Sequence, residues 1–252
     1  TRPAPRPERT LTVRDTLLFV VLPYVCLAVF VVGHIWRYRA DQFGWTTRTS
    51  QIFEKRWLAW GSPLFHFGAL LVILGHVGGL LIPSSWTRAL GISDHTYHVV
   101  AVAGGTVAGI ILCAGLVILL LRRFVFSRRV TLVTTPMDRV LYLLLGAEVL
   151  IGMWQTVAIN VFGSGYEYRG TISVWFRGLF VLDPDAALIA SAPAVYQWHA
   201  VLACLLMAVW PFTRLVHVWS VPIGYLTRPF VVYRRRNAPD RSPVATTSGS
   251  PR

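Results

Sequence analysis

Five long apolar runs constrain this chain more than any other feature. A helix needs about 20 apolar residues to cross the hydrocarbon core of a bilayer. Runs of that length extend from about Asp15 to Trp36, Pro63 to Ile82, His98 to Leu121, Val140 to Phe162 and Ala194 to Trp219. Backbone exposed to lipid must satisfy its own hydrogen bonds, so each run has to be a helix. The expected fold is all-α, an integral membrane bundle of five transmembrane helices. Only 14% of the 252 residues are charged, too few to cover a soluble domain of this size. The first run reads as a span, because it is too long for a cleavable signal and has no small-residue cleavage site. Residues 1–12 and the basic stretch 234–252 read as a disordered head and tail, leaving 13–233 as one transmembrane domain.

The loops carry the orientation. Lys+Arg number 24 against 11 Asp+Glu, a formal charge of +13. The first loop holds Arg37, Arg39, Arg48, Lys55 and Arg56, and the third holds Arg122, Arg123, Arg128, Arg129 and Arg139. Arg228 and Arg234, Arg235 and Arg236 follow the fifth span. The second loop has only Arg88, and in the fourth Arg169 and Arg177 are diluted by Glu167, Asp183 and Asp185. Positive charge stays in the cytoplasm, which puts the C-terminus inside and the N-terminus outside, against a weaker opposing signal from Arg2, Arg6, Arg9 and Arg14. Charge that follows alternate loops is not a nucleic-acid surface. Loops one and three are expected to meet anionic lipid headgroups or a partner subunit.

Four histidines lie at membrane depth, where ionisable side chains are costly and usually functional. His66 and His76 are on the second span, His199 and His217 on the fifth. On antiparallel helices His66 comes level with His217 and His76 with His199. At 1.5 Å per residue the spacings are about 15 Å and 27 Å, which separates the two pairs by about 21 Å and implies tilted helices. Paired imidazoles suit haem iron, and bis-histidine ligation favours electron transfer over oxygen chemistry. Zinc would want closer ligands with carboxylate or thiolate help. Ten residues turn a straight helix by about −80°, so a bend or supercoil must bring His66 and His76 to one side. Gly68, Gly75 and Gly79 beside them would let a flat ring approach the backbone. Arg214, three residues before His217, is a candidate partner for a haem propionate. Cys26, Cys113 and Cys204 lie in apolar runs without a CxxC or CxxCH pattern, so they read as small helix residues.

The stretch HFGALLVILGHVGGLLIP from His66 and the block PFTRLVHVWSVPIGYLTRP from Pro211 resemble the gamma subunit of respiratory nitrate reductase, its membrane cytochrome b. WRYRADQFGW from Trp36, AGG at Ala103 to Gly105 and RRFVFSRRV from Arg122 extend the likeness over nearly the whole chain. The resemblance implies two b-type haems, with His66 and His217 on the one nearer the cytoplasm and His76 and His199 on the distal one. It implies that quinol is oxidised at the outer haem of a bacterial plasma (inner) membrane. Electrons then pass inward to an iron–sulfur (beta) subunit and on to the molybdenum (alpha) subunit that reduces nitrate. No nitrate-reducing centre is expected on this chain. Cytochrome b subunits of formate dehydrogenases, hydrogenases or sulfur-pathway reductases are the nearest alternatives, and the RLVHVWSVP block argues against them. A transporter or scaffold with merely packed histidines is the alternative of a different class.

The chain departs from the family pattern at two places. Gln197 stands where the family has an arginine two residues before the fifth-span ligand, and Thr96 where it has a lysine associated with quinol. Asp94, His95 and His98 are close to that second position, and histidine can take a proton as quinol is oxidised. With Gly75 and His76 they make up the expected quinol site. His34 reads as structural, the tryptophans near span ends as aromatic belts. Glu148 is the one carboxylate inside a span, with its role left open.

Overall fold

A computed structural model describes residues 11–41, 50 and 52–219. Among these the structure is helical with short connections: α1 (Val13–Ala40), α2 (Arg56–Leu81), α3 (Ser84–Ala89), α4 (Asp94–Phe126), α5 (Arg128–Leu132), α6 (Pro136–Val161), α7 (Ile172–Phe180), α8 (Ala186–Ala190) and α9 (Ala194–Val209). The five long ones, α1, α2, α4, α6 and α9 with its extension to Phe212, are long and apolar enough to cross a membrane. Residues 1–10 of the expected head, the expected tail and most of the WSVPIGYLTR block lie outside the described residues.

Local chemistry sets the ends of these helices. Thr12 and Asp15 cap each other's backbone at the start of α1, as Thr135 and Asp138 do at α6, each pair satisfying two orphan amides. Ser93 accepts from the Thr96 amide to start α4. Pro63, expected near the start of the second span, lies inside α2, where it removes one backbone hydrogen bond but does not end the helix.

The fifth span is not one continuous α-helix. Pro211 cannot donate, so α9 stops at Val209 and passes through a 3₁₀ turn (Trp210–Phe212). Thr213 is extended, and a second 3₁₀ turn (Arg214–Val218) carries His217. The 27 Å spacing of a straight helix therefore does not apply. A bend at Thr213, not tilt alone, accommodates the unequal histidine spacings.

Close packing of α2 on α4 is made by glycine. A Cβ on Gly68 would run into the Leu112 backbone, one on Gly115 into the Phe65 backbone, and one on Gly61 would lie 2.8 Å from Ile118. Small residues let membrane helices approach where no hydrophobic force drives them together. Leu112, Leu116 and Val149 form the buried core beside this seam.

Four spans contain a wide π turn: Leu17–Val21, Val77–Leu81, Arg122–Phe126 and Gln155–Val161. Such turns release carbonyls that need donors at membrane depth. The connection containing α7 supplies most of them. Trp175 Nε1 donates to Phe19 O (2.8 Å), Ser173 to Gly79 O (2.9 Å) and Arg177 to Leu80 O (2.9 Å). Arg169, read from the sequence as a loop charge, is buried and donates to Ile82 O and Thr87.

Candidate functional site

The two histidine-bearing elements are held apart by their neighbours. Helix α2 packs on α4, whereas α9 packs on α1 and α6, and α2 and α9 share no extensive backbone contact. Two pairs of imidazoles face each other between them. The ring centres of His66 and His217 are 5.9 Å apart at 78°, and those of His76 and His199 are 6.1 Å apart at 35°.

Three of these rings are fixed by their own backbone. His66 Nδ1 lies 2.7 Å from Ser62 O, His76 Nδ1 2.8 Å from Val72 O and His217 Nδ1 2.6 Å from Arg214 O. A carbonyl only accepts, so Nδ1 carries the proton and Nε2 presents its lone pair. That is the tautomer a metal-ligating histidine needs. The fourth ring, His199, has Nδ1 3.3 Å from Glu148 Oε1 on α6.

These distances test the fit of an iron macrocycle. A metal–imidazole bond of about 2.0–2.1 Å plus about 1.1 Å from nitrogen to ring centre puts two axial imidazoles about 6.3 Å apart, centre to centre. The observed 5.9 and 6.1 Å match that within a few tenths of an ångström. Among the described residues no three His, Cys, Asp or Glu side chains gather as a metal cluster.

Charged groups surround the His66 end. Arg214 Nε donates to Asp138 (2.8 Å), which also faces Arg123 (3.7 Å). Arg214 is thus engaged by a carboxylate along one edge beside its expected propionate role. Arg122 is buried and holds Glu54 (2.6 Å), Ser50 and the Glu54 carbonyl. Burial pushes the Glu54 carboxyl up, but the Trp57 amide and the Arg122 guanidinium outweigh it and hold Glu54 below the ordinary glutamate range. Arg37 on α1 donates to Pro211 O (2.6 Å) and Thr213 O (3.1 Å), clamping the bend that leads to His217.

The residues expected around quinol spread out at the His76 end. Asp94 is exposed and paired with Arg88 at 3.6 Å, and His95 is exposed. His98 is half-buried beside Gly165. Tyr97, between the two histidines, is the residue that sequence reasoning passed over. Its ring lies under the Arg169 guanidinium (3.8 Å) and its hydroxyl reaches towards Gly78, two residues past His76. Tyr168 joins it, and burial together with the Tyr97 hydroxyl raises the pKa of the Tyr168 phenol. The proximity of aromatics from α4 and the fourth loop has no signal in sequence spacing.

The three glycines differ. A Cβ on Gly75 would meet nothing within 4 Å, so the backbone beside His76 is open to approach. Gly68 is occupied by Leu112 of α4 and Gly79 by Tyr168, which explains their size by packing. Gln197 caps Ala190 O and Ala192 O, and Thr96 bonds Ser93. His34 packs on Phe30 (4.3 Å) with Nδ1 on the Phe30 carbonyl, the same backbone contact that His66 and His76 make, and no second histidine ring faces it among the described residues.

A profile described as nitrate reductase gamma subunit matches residues 15–236. The chain is 49% identical to the nitrate reductase-like protein NarX of Mycobacterium tuberculosis over 90% of its length, and spans about a third (35%) of that longer protein. It is 46% identical to the nitrate reductase gamma chain of Bacillus subtilis, covering 88% of this chain and 98% of that one. With the respiratory nitrate reductase 1 gamma chain of Escherichia coli the identity is 31%, again over 88% and 98%.

Proposed function

The chain belongs to the nitrate reductase gamma subunit family, and from that premise we propose that it oxidises membrane quinol and passes the electrons on through two b-type haems. Membership supports a place as a membrane subunit of a respiratory nitrate reductase, an oxidoreductase complex. The finer reading rests above all on the two facing imidazole pairs, whose 5.9 and 6.1 Å separations suit bis-histidine iron. His66 and His217 hold one haem, His76 and His199 the other. When bound, the haems supply one-electron Fe(III)/Fe(II) chemistry at two depths of the membrane.

The chain's own residues do the rest. Quinol oxidation releases two electrons and two protons, so its site needs proton acceptors beside an approachable surface. Gly75 and His76 present that surface, with Asp94, His95 and His98 towards the solvent side to take protons and the Tyr97 hydroxyl beside them as a hydrogen-bonding group. Loop charge favours the bacterial cytoplasm for the His66 end, where the basic loops meet the iron–sulfur (beta) subunit that feeds the molybdenum (alpha) subunit. Protons then leave on the outer side.

The test is a reduced-minus-oxidised spectrum with a pyridine haemochrome assay on the purified full chain. Two b-type haems per chain, falling to one in His66→Ala and in His199→Ala, are expected. Membrane-inserted protein without haem overturns the reading.

A further inference from the structure

We propose that one face of α6, formed by Glu148, Gly152 and Gln155, positions His199 and sets the reduction potential of the iron it ligates. The inference rests on the reading of His199 as a haem ligand. Residues at these spacings, four and three apart, share one helix face.

The starting point is a difference among the four rings. His66 and His76 turn Nδ1 onto the carbonyl four residues back, and His217 onto the one three back. The corresponding acceptor for His199 is Val195 O, and Gln155 Nε2 already donates to it at 3.0 Å. Gln155 therefore withholds from His199 the partner that the α2 histidines use. The ring is left to α6, where Glu148 Oε1 lies 3.3 Å from Nδ1. Both side chains are largely buried, 20% and 15% exposed. His199 Nδ1 and Glu148 Oε2 are buried without a hydrogen-bond partner, so a small rotation that closes the contact satisfies an otherwise costly donor.

Gly152, one turn beyond Glu148, makes room for this ring. A Cβ there would lie 3.2 Å from His199 Cε1, tighter than most carbon contacts, and would push the imidazole away from α6. The three residues thus act in concert: one removes the backbone acceptor, one offers a carboxylate, one lets the ring reach it.

The chemical consequence follows from the acceptor. An ionised Glu148 draws on Nδ1–H more strongly than a neutral carbonyl does, which makes Nε2 a better donor to iron. Stronger donation favours the oxidised metal. The His76/His199 iron is then held at a lower potential than a carbonyl-bonded histidine would give, while the His66/His217 iron, with carbonyl acceptors on both sides, is untouched by Glu148. A carboxylate kept at membrane depth is costly, which is reason to look for such a role.

The experiment is an equilibrium redox titration of the purified full chain, read at each haem by optical and low-spin EPR signals. Glu148→Leu raises the potential of the His76/His199 haem by about tenfold in the Fe(III)/Fe(II) equilibrium, 59 mV for one electron. Glu148→Gln keeps an oxygen but loses the charge, and raises it by about threefold. The other haem moves less than about twofold in both. If either variant leaves the His76/His199 potential within about twofold of the parent, the proposal is overturned. Should the Leu variant not insert, the Gln variant decides by that criterion. A parent chain lacking two haems, or His199→Ala retaining both, sinks the haem reading itself. Two haems with unmoved potentials sink only the role of Glu148.

Discussion

Replacing Gly115 by alanine separates packing from cofactor roles for the glycines of this bundle. The added Cβ would lie 2.6 Å from Phe65 Cα and 2.8 Å from the Leu64 carbonyl carbon. Carbon atoms prefer about 3.5–4.0 Å, so α2 and α4 must part by about 1 Å. The obstacle is backbone, which cannot swing aside as a side chain can. Overpacking of this kind costs about 1–3 kcal/mol and occasionally more. Alanine returns up to about 1 kcal/mol of helix propensity, leaving a net loss of about 2 kcal/mol. Gly68→Ala, which meets the Leu112 backbone from the other side of the seam, should cost the same. Two other glycines calibrate the scale. Gly146→Ala meets nothing within 4 Å and should gain up to about 1 kcal/mol. Gly109→Ala meets the Met153 thioether, which can rotate away, and should be near neutral. The assay is detergent-induced unfolding of the purified chain, with haem per chain measured alongside. Leu64 and Phe65 directly precede His66, so parting the helices also shifts His66 from its 5.9 Å register with His217, and the haem proposed for that pair should be lost first. A Gly115→Ala chain as stable as Gly146→Ala would refute the packing account.

Two further perturbations address the His66 end. Glu54 has its carboxyl held low by Trp57 and Arg122 against the opposing effect of burial, so its contribution to stability is complete above the ordinary glutamate range and is lost as pH falls through the lowered value. Thermal unfolding should show this acid-side loss in the parent and not in Glu54→Gln, which is already destabilised by about 2 kcal/mol at neutral pH because Arg122 loses its counter-charge; parallel profiles would contradict the assignment. Arg37→Met leaves Pro211 O and Thr213 O without their guanidinium donor, with an expected loss of about 1–2 kcal/mol and a change in the spectrum of the haem proposed for His66 and His217 alone. Equal spectral change at both haems would speak against a local clamp.

Much of this architecture is legible in the sequence because a membrane makes its demands one segment at a time. Length and apolarity identify a span without knowledge of its neighbours, and the five helices appear where the runs stand. The fifth is instructive. Its hydropathy runs on past Val209, so it reads as a single helix to Trp219, while the missing amide of Pro211 ends the α-helix early. Hydropathy reports what lipid tolerates. It says little about which hydrogen bonds hold the segment.

The same distinction runs through the site. That His66 faces His217 and His76 faces His199 can be read from depth alone, because four imidazoles on two antiparallel helices have few ways to pair. What surrounds them cannot. Glu148 is visible as a lone carboxylate, yet its neighbour His199 depends on how α6 is rotated against α9. Gly68 sits two residues from a histidine in the sequence, but its missing side chain serves the backbone of α4. Arg169 and Arg177 look like any charged loop residues; hydrogen bonds to the carbonyls of and just after a π turn that follows His76 make them part of the frame around that histidine. A charge in a loop and a charge capping a broken helix have the same letter. They differ in free energy by the cost of leaving a carbonyl unsatisfied next to lipid, and that difference exists only once the helix has been broken.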